Sequence, residues 1–263
     1  GLSPDNPCTG VRLPLEPSVE SGIWSADEVR RFLAATANSR YATLWRLLLA
    51  TGMRRGEALG LQWADIDLDA GRLRIVRAML ADSRRDNVLY GAPKNRKSRR
   101  TISLDAGTVE ALRAWHEHRV AEAGLIAATD PVFTLADGSP MLPAGVSDTW
   151  RRAVRQAGLR PLPLHGTRHT HISHLLSAGE PLAHVSARVG HATSAMTLRT
   201  YAHVIAGDDA RTAERAGELF ETIPAHANVC VCPSTDGCSC SSTRSATPES
   251  KPSRDGSADP WPR

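Results

Sequence analysis

The sequence predicts an α+β fold, mostly helical, with one small antiparallel sheet of about three strands. Three observations lead there. A capping box, "SADE" at residues 25–28, is followed by apolar residues at helical spacing. Two short stretches, "GRLRIVRAML" and "RRTISL", alternate apolar and polar residues as strands do. Helical patterns then succeed one another up to about residue 220, enough chain for a single core of about 200 residues.

Residues 1–20, with "SPDNPCTGVRLPLEP", read as an extended linker. Ser25 caps the first helix, whose inward positions are Val29, Phe32 and Leu33. "YATLWRLLLATG" forms the second and stops at Gly52, and "RRGEALGL" forms a third that runs into the turn-rich "QWADID". Strands at 71–80 and 99–104 are joined by the basic connection "YGAPKNRKSRR". "DAGTVEALRAWHEHRVAEAG" is an amphipathic helix with Val109, Leu112, Trp115 and Val120 expected on its buried side. Helices over 144–158, 165–179, 181–190 and 194–205 follow, and "DDARTAERAGELF" closes the fold. The domain is expected to span residues 21–222, with 223–263 as a disordered Cys/Ser/Pro-rich tail.

Composition bounds the partners. The chain of 263 residues is 41% hydrophobic and 23% charged, with a net charge of +4 that leans towards anionic partners. The tail balances four basic residues (Arg244, Lys251, Arg254, Arg263) against four acidic ones (Asp236, Glu249, Asp255, Asp259), so the basic surplus lies before it. The most apolar run is interrupted by Arg46, which argues against a membrane span and for a cytoplasmic protein. Cys230, Cys232, Cys238 and Cys240 form two C-x-C pairs that four-thiolate metal binding would use, but the surrounding Ser/Thr/Pro/Gly composition favours a disordered tail.

Four stretches carry chemistry. In "ATGMRRGEALG", Arg54 stands at the start of a helix where it can grip an anion, and Glu57, three residues on, can hold its guanidinium. The plain alternative is a surface ion pair. In "PKNRKSRR", Lys94, Arg96, Lys97, Arg99 and Arg100 place five cations among seven residues, a solvated run or a turn that follows DNA phosphates, with Lys94 nearest the domain body. In "LHGTRHTHISH", His165 and Arg168 share a helical face, whereas the His165/His169 pair imitates a zinc helix without its Glu. His169, His171 and His174 read as packing or capping residues. In "VGHATSAMTLRTYAHV", His191 follows a helix-stopping Gly190 and Tyr201 lies ten residues on, where a lone tyrosine is ordinarily a core or surface residue.

Together Arg54, Lys94, His165, Arg168, His191 and Tyr201 suit phosphodiester transesterification. Two guanidiniums would hold the non-bridging oxygens and ease ionisation of Tyr201, His165 would take or orient its proton, His191 would bond the phosphate and Lys94 would protonate the leaving oxygen.

This ordered set resembles the tyrosine recombinases, in the phage-integrase branch, over about residues 21–222: "TGMRRGE", "PKNRKSRRTISL", "HGTRH" and "GHATSAMTLRTYAH" are the matching stretches. Thr167 departs from the apolar residue common before the arginine. The resemblance implies an integrase-like catalytic domain in which Tyr201 attacks the scissile phosphate to form a 3′-phosphotyrosyl link, with no metal, ATP or other cofactor. It further implies a missing N-terminal DNA-binding domain that the linker of residues 1–20 would follow, double-stranded DNA attachment sites as substrate, a homotetramer built through about Ala206–Phe220, accessory DNA-bending proteins, and a bacterial or phage origin with nucleoid association. A type IB topoisomerase-like enzyme and a non-cleaving DNA-binding remnant are the alternatives.

Overall fold

The computed structural model describes residues 22–81, 88–91, 99–191, 193–205 and 209–218. The predicted linker, the tail with its cysteine pairs, and Lys94, Arg96 and Lys97 lie outside them.

The fold begins as the capping box predicts. The Glu28 N–H donates to Ser25 Oγ at 3.2 Å, and the Ser25 N–H to Glu28 Oε2 at 2.7 Å, starting α1 (Ala26–Ala35). Trp24, just before it, is anchored to residues far along the chain. Its N–H donates to Thr170 Oγ1 at 3.1 Å and its indole N–H to the Arg160 carbonyl at 3.2 Å. Helix α2 (Ala42–Thr51) is buried on most sides, which its nearly continuous apolar sequence requires, and Gly52 ends it with φ 62°. Five residues, Arg55–Leu59, form α3.

A single strand over 71–80 was expected; there are two. Strand β1 (Ile66–Asp67) pairs with β2 (Arg72–Ile75), and β3 (Ala78–Ala81) pairs with β4 (Val88–Gly91) in a separate two-stranded sheet. Strand β5 (Arg100–Ser103) completes the first sheet, antiparallel to β2, with Leu73 opposite Ile102. The break falls at Val76 and Arg77, where the Arg77 guanidinium turns back onto the buried carboxylate of Asp65. Beyond it β3 is pressed against α3. A Cβ on Gly56 would lie 2.8 Å from the Met79 carbonyl oxygen, and one on Gly60 would lie 3.0 Å from Ala78 Cα. This approach needs glycine at both positions. Tyr90 and Gly91, expected in the connection, belong to β4.

Helix α4 (Ala106–Ala123) buries Thr108, Leu112, Trp115 and Arg119. Its stripe therefore ends on Arg119, whose Nη1 donates to Glu122 at 2.8 Å, while Val120 is 37% exposed, contrary to the expected face. Spacings of four, three and four follow the helix period, and Val120 lies one residue off that line. Helices α5 (Pro143–Gln156), α6 (Gly166–Ser177), α7 (Leu182–Val189) and α8 (Ser194–Ile205) complete the compact unit. Helix α9 (Asp209–Glu218) belongs to a second compact unit, and Ala213, Glu214, Ala216, Gly217 and Glu218 on it are exposed.

The main core gathers Trp24, Phe32, Trp45 and Trp150, with the Trp150 indole N–H on the Leu162 carbonyl at 2.6 Å. A smaller cluster, Ile172, Val185, Val189 and Tyr201, joins α6, α7 and α8. Among the described residues no helix is long and apolar enough to cross a membrane.

Replacing Trp150 by alanine removes the ring that touches Trp24, Phe32 and Trp45 and orphans the Leu162 carbonyl. Urea unfolding should show a loss of about 3–5 kcal/mol, as for large-to-small changes in packed cores.

Candidate active site

The turn after α2 sets the geometry. With Gly52 in the left-handed region, its carbonyl accepts from Arg168 Nη1 at 2.8 Å. A Cβ there would come 2.7 Å from the His171 ring, so α2 and α6 meet at a point only glycine permits. Two residues later Arg54 precedes α3 in extended backbone. Glu57 accepts the Arg54 N–H at 2.9 Å with Oε2 and Arg54 Nη1 at 2.9 Å with Oε1. The predicted Arg54–Glu57 pairing is thus present, but not as a plain surface pair, since Glu57 is 2% exposed. Among the described residues Glu57 is the partner of the Arg54 guanidinium, whose side chain is 40% exposed beside a cleft of about 460 Å³ that His165 also lines.

Glu57 has a second cation. Arg100 donates to it from Nη2 at 2.9 Å and from Nη1 at 3.3 Å. Burial alone would raise the carboxyl's pKa; the hydrogen bonds and charge of Arg100, then those of Arg54, outweigh it and hold the group below its usual range. Arg100 was expected to face DNA with its neighbours. Its side chain is instead turned inward, 7% exposed, whereas Arg99 is exposed.

Arg168 sits in the first turn of α6 and is 2% exposed. Its Nη1 is taken by Gly52, but its Nη2 is buried and meets no acceptor among the described residues. Burial first, and then the charge of Arg54, pulls its pKa down to about 10. His165 directly precedes α6, its ring edge-on to His169 with centroids 5.1 Å apart. Although His165 as a residue is exposed, partial burial of its ring and the charges of His169, Arg168 and Arg54 bring its pKa down to about 4.

Helix α7 stops at Gly190, φ 69°, and leaves His191 in the following turn, where its Nδ1 lies 2.6 Å from Thr197 Oγ1 on α8. His191 is likewise brought down to about 4, by burial and then by Arg168 and Arg54, so these charges converge on one region. Tyr201 lies where α8 kinks, at φ −120° and ψ 15°, and is 3% exposed. Burial pushes its phenol up to about 12, and the opposing charge of Arg168 does not overcome this. The expectation that guanidiniums ease its ionisation holds in direction but not in net effect.

Sequence reading passed over His169, whose Nδ1 is in direct hydrogen-bond contact with the Tyr201 hydroxyl. Its position next to Arg168, one turn from His165, was the available signal. His171 and His174 are structural, as expected: His171 Nδ1 meets the Leu49 carbonyl at 3.1 Å, and His174 Nε2 meets that of Trp24 at 2.8 Å. Among the described residues no cluster of His, Cys, Asp and Glu has the arrangement of a metal site.

The arrangement is chemically suited to holding an anion: a buried guanidinium with an unmet donor, a second guanidinium at a cleft, neutral histidines and a phenol. The model of the phage integrase family matches residues 24–207. A XerC-like tyrosine recombinase of Caldanaerobacter subterraneus subsp. tengcongensis is 30% identical over 241 residues, covering 84% of this chain and 61% of the relative. The ICEBs1 integrase of Bacillus subtilis (strain 168) is 25% identical over 222 residues, covering 82% and 59%. This chain thus spans about three fifths of the length of these relatives. Among solved structures, the Tn1549 transposon integrase in complex with circular intermediate DNA shares the fold with a TM-score of 0.66 at 22% identity, covering 78% of this chain and 68% of that one.

Depressed histidines make stability depend on pH in a definite sense. His165, His171 and His191, each near 4 when folded against 6.5 ordinarily, are neutral in both states above that value. As pH falls from about 6.5 to about 4 the unfolded chain binds protons that the folded one refuses, so unfolding free energy should decline through this window. Inorganic phosphate should raise the titration midpoints of His165 and His191 in histidine-ring NMR and leave His171, engaged with the backbone, unchanged.

Proposed function

The chain belongs to the phage integrase family, and from that premise we propose that it is a site-specific DNA recombinase that cuts and rejoins strands through a 3′-phosphotyrosyl intermediate. The observation that carries the proposal is the Arg168 Nη2 atom, a buried charged donor with no acceptor among the described residues. Leaving a buried donor unmet costs about 1–3 kcal/mol, and more when it is charged, and a non-bridging phosphate oxygen matches it in charge. Arg54 reaches the same phosphate from the cleft, and His165 and His191 complete the ring of donors.

The reaction follows from this placement. The Tyr201 oxygen bonds to phosphorus as the bond from phosphorus to the 5′ oxygen breaks. The phenol proton passes to His169 Nδ1, the nitrogen already in contact with the hydroxyl. The departing 5′ oxygen takes a proton from Lys94, and the charge that grows on the phosphoryl oxygens is met by Arg54 and Arg168. A 5′-hydroxyl from the partner duplex then reverses these steps on the tyrosyl linkage, so no energy source is consumed. Arg96, Lys97 and Arg99 would follow the flanking phosphates. Residues 21–222 would form the catalytic domain, and the segment after Tyr201, including α9, would join subunits into a homotetramer on two duplexes, with accessory proteins bending the DNA.

A nicked suicide duplex carrying attachment sequence tests this. Wild type should give a DNA-linked band on a denaturing gel without added metal, and Tyr201→Phe none. Arg168→Ala should slow formation of that band by about 100–1,000-fold, the usual effect of removing a donor to a developing oxyanion. A linked band that persists in Tyr201→Phe would overturn the assignment.

A further inference from the structure

We infer that Arg100 is a positioning residue: it shares the Glu57 carboxylate with Arg54 so that the Arg54 guanidinium remains available to an anion. The inference rests on the recombinase reading only for its DNA measurement.

Glu57 is buried and offers two oxygens. Arg54 bonds Oε1 through one nitrogen, Nη1, and Oε2 through its backbone N–H. Arg100 spans both oxygens with its two terminal nitrogens. Two parallel N–H bonds to one carboxylate are the strongest arrangement a guanidinium can make, and here Arg100 holds it. Without Arg100, the carboxylate would draw Arg54 into that arrangement and away from the cleft.

Arg100 is itself held from three directions. It opens β5, six residues after Lys94. Its Nε donates to the Arg188 carbonyl at 2.6 Å, near the end of α7 and three residues before His191. The passage is narrow: a Cβ on Gly190 would meet Arg100 Nη1 at 2.7 Å, and at φ +69° that residue favours glycine in any case. Arg188 is fixed in turn, its Nη2 on the Ala50 carbonyl and its Nε on His171 Nε2, both at 3.2 Å. One side chain therefore relates the helix of Arg54, the strand that follows Lys94 and the turn of His191. A lysine could supply the charge but not the fork.

The test compares wild type, Arg100→Lys, Arg100→Met, Arg54→Ala and the double variant Arg100→Met/Glu57→Gln, all well below their melting temperatures. Inorganic phosphate is titrated and histidine-ring NMR reports its binding. Arg100→Met should weaken phosphate binding about tenfold, one charge-assisted hydrogen bond. Arg100→Lys should fall between, and the double variant should recover most of the loss because the captor carboxylate is gone. On the suicide duplex, Arg100→Met should form the covalent complex about 100-fold more slowly, as misplacement of a catalytic group does, with duplex affinity changed less than about threefold. A purely structural Arg100 would lower the melting temperature and leave phosphate affinity intact, which would overturn the inference. So would wild type that binds phosphate no better than Arg54→Ala. Should wild type form no covalent complex while the phosphate pattern holds, the recombinase reading fails and the role of Arg100 stands. If Arg100→Met does not fold, Arg100→Lys alone decides, by weakened phosphate binding or none.

Discussion

An excess of buried positive charge governs this structure. Arg168 and Arg100 are almost wholly enclosed, Arg54 is partly so, and one buried carboxylate, Glu57, stands among them. Uncompensated charge in a protein interior is unfavourable, so the guanidiniums must be held by rigid neutral partners. Backbone carbonyls do this: Gly52 for Arg168 and Arg188 for Arg100. Each lies at or next to a helix end closed by a left-handed glycine, Gly52 or Gly190. The tight helix stops thus serve the site as much as the chain path. They aim carbonyls that would otherwise face solvent, and they leave room for side chains where a Cβ would intrude.

Burial, and after it the same charge, sets the state of the histidines. With their rings partly buried and cations nearby, His165 and His191 are neutral at physiological pH. A neutral imidazole can both donate and accept, whereas an imidazolium can only donate. On the recombinase reading, arginines would supply the permanent charge and histidines would be left to handle protons. His171 shows the structural use of the same neutrality. Its Nδ1 meets a carbonyl and its Nε2 accepts from Arg188, a pattern that a doubly protonated ring could not make.

What could be read from the sequence was local. The capping box at Ser25, the stop at Gly52, the Arg54–Glu57 pair and the shared face of His165 and Arg168 all depend on spacings of three or four residues, which helical geometry fixes without knowledge of the fold. What escaped depends on contacts distant in sequence. The strand over 71–80 breaks because Arg77 finds Asp65 and because two glycines let α3 lie against β3. Arg100 resembles its basic neighbours in composition, yet its partner Glu57 is 43 residues away. Arg119 takes a place in the stripe of α4 through Glu122 and the neighbouring packing, where an apolar-only pattern would choose Val120. His169 was hidden by abundance: in "HGTRHTHISH" four histidines compete for roles, and only tertiary placement shows which of them meets Tyr201.

Tyr201 shows what this charge arrangement leaves undone. With its phenol near 12, the phenolate fraction at neutral pH is about one part in 100,000. Arg168 lowers the value without reversing it, so a standing phenolate is not how the site would work. On the recombinase reading the proton must leave as the new bond to phosphorus forms, when electron withdrawal makes the phenol acidic. A base already in contact then matters more than a depressed pKa, and that contact is His169 Nδ1. A base held neutral but weak suits such a step: it can accept a proton from the attacking phenol, and it can return that proton when the tyrosyl linkage is broken in the second half of the exchange. On that reading the hydroxyl would stay protonated and buried until a phosphate arrives, a nucleophile kept quiet by the same low-polarity surroundings that would sharpen the pull of Arg168 on an incoming anion.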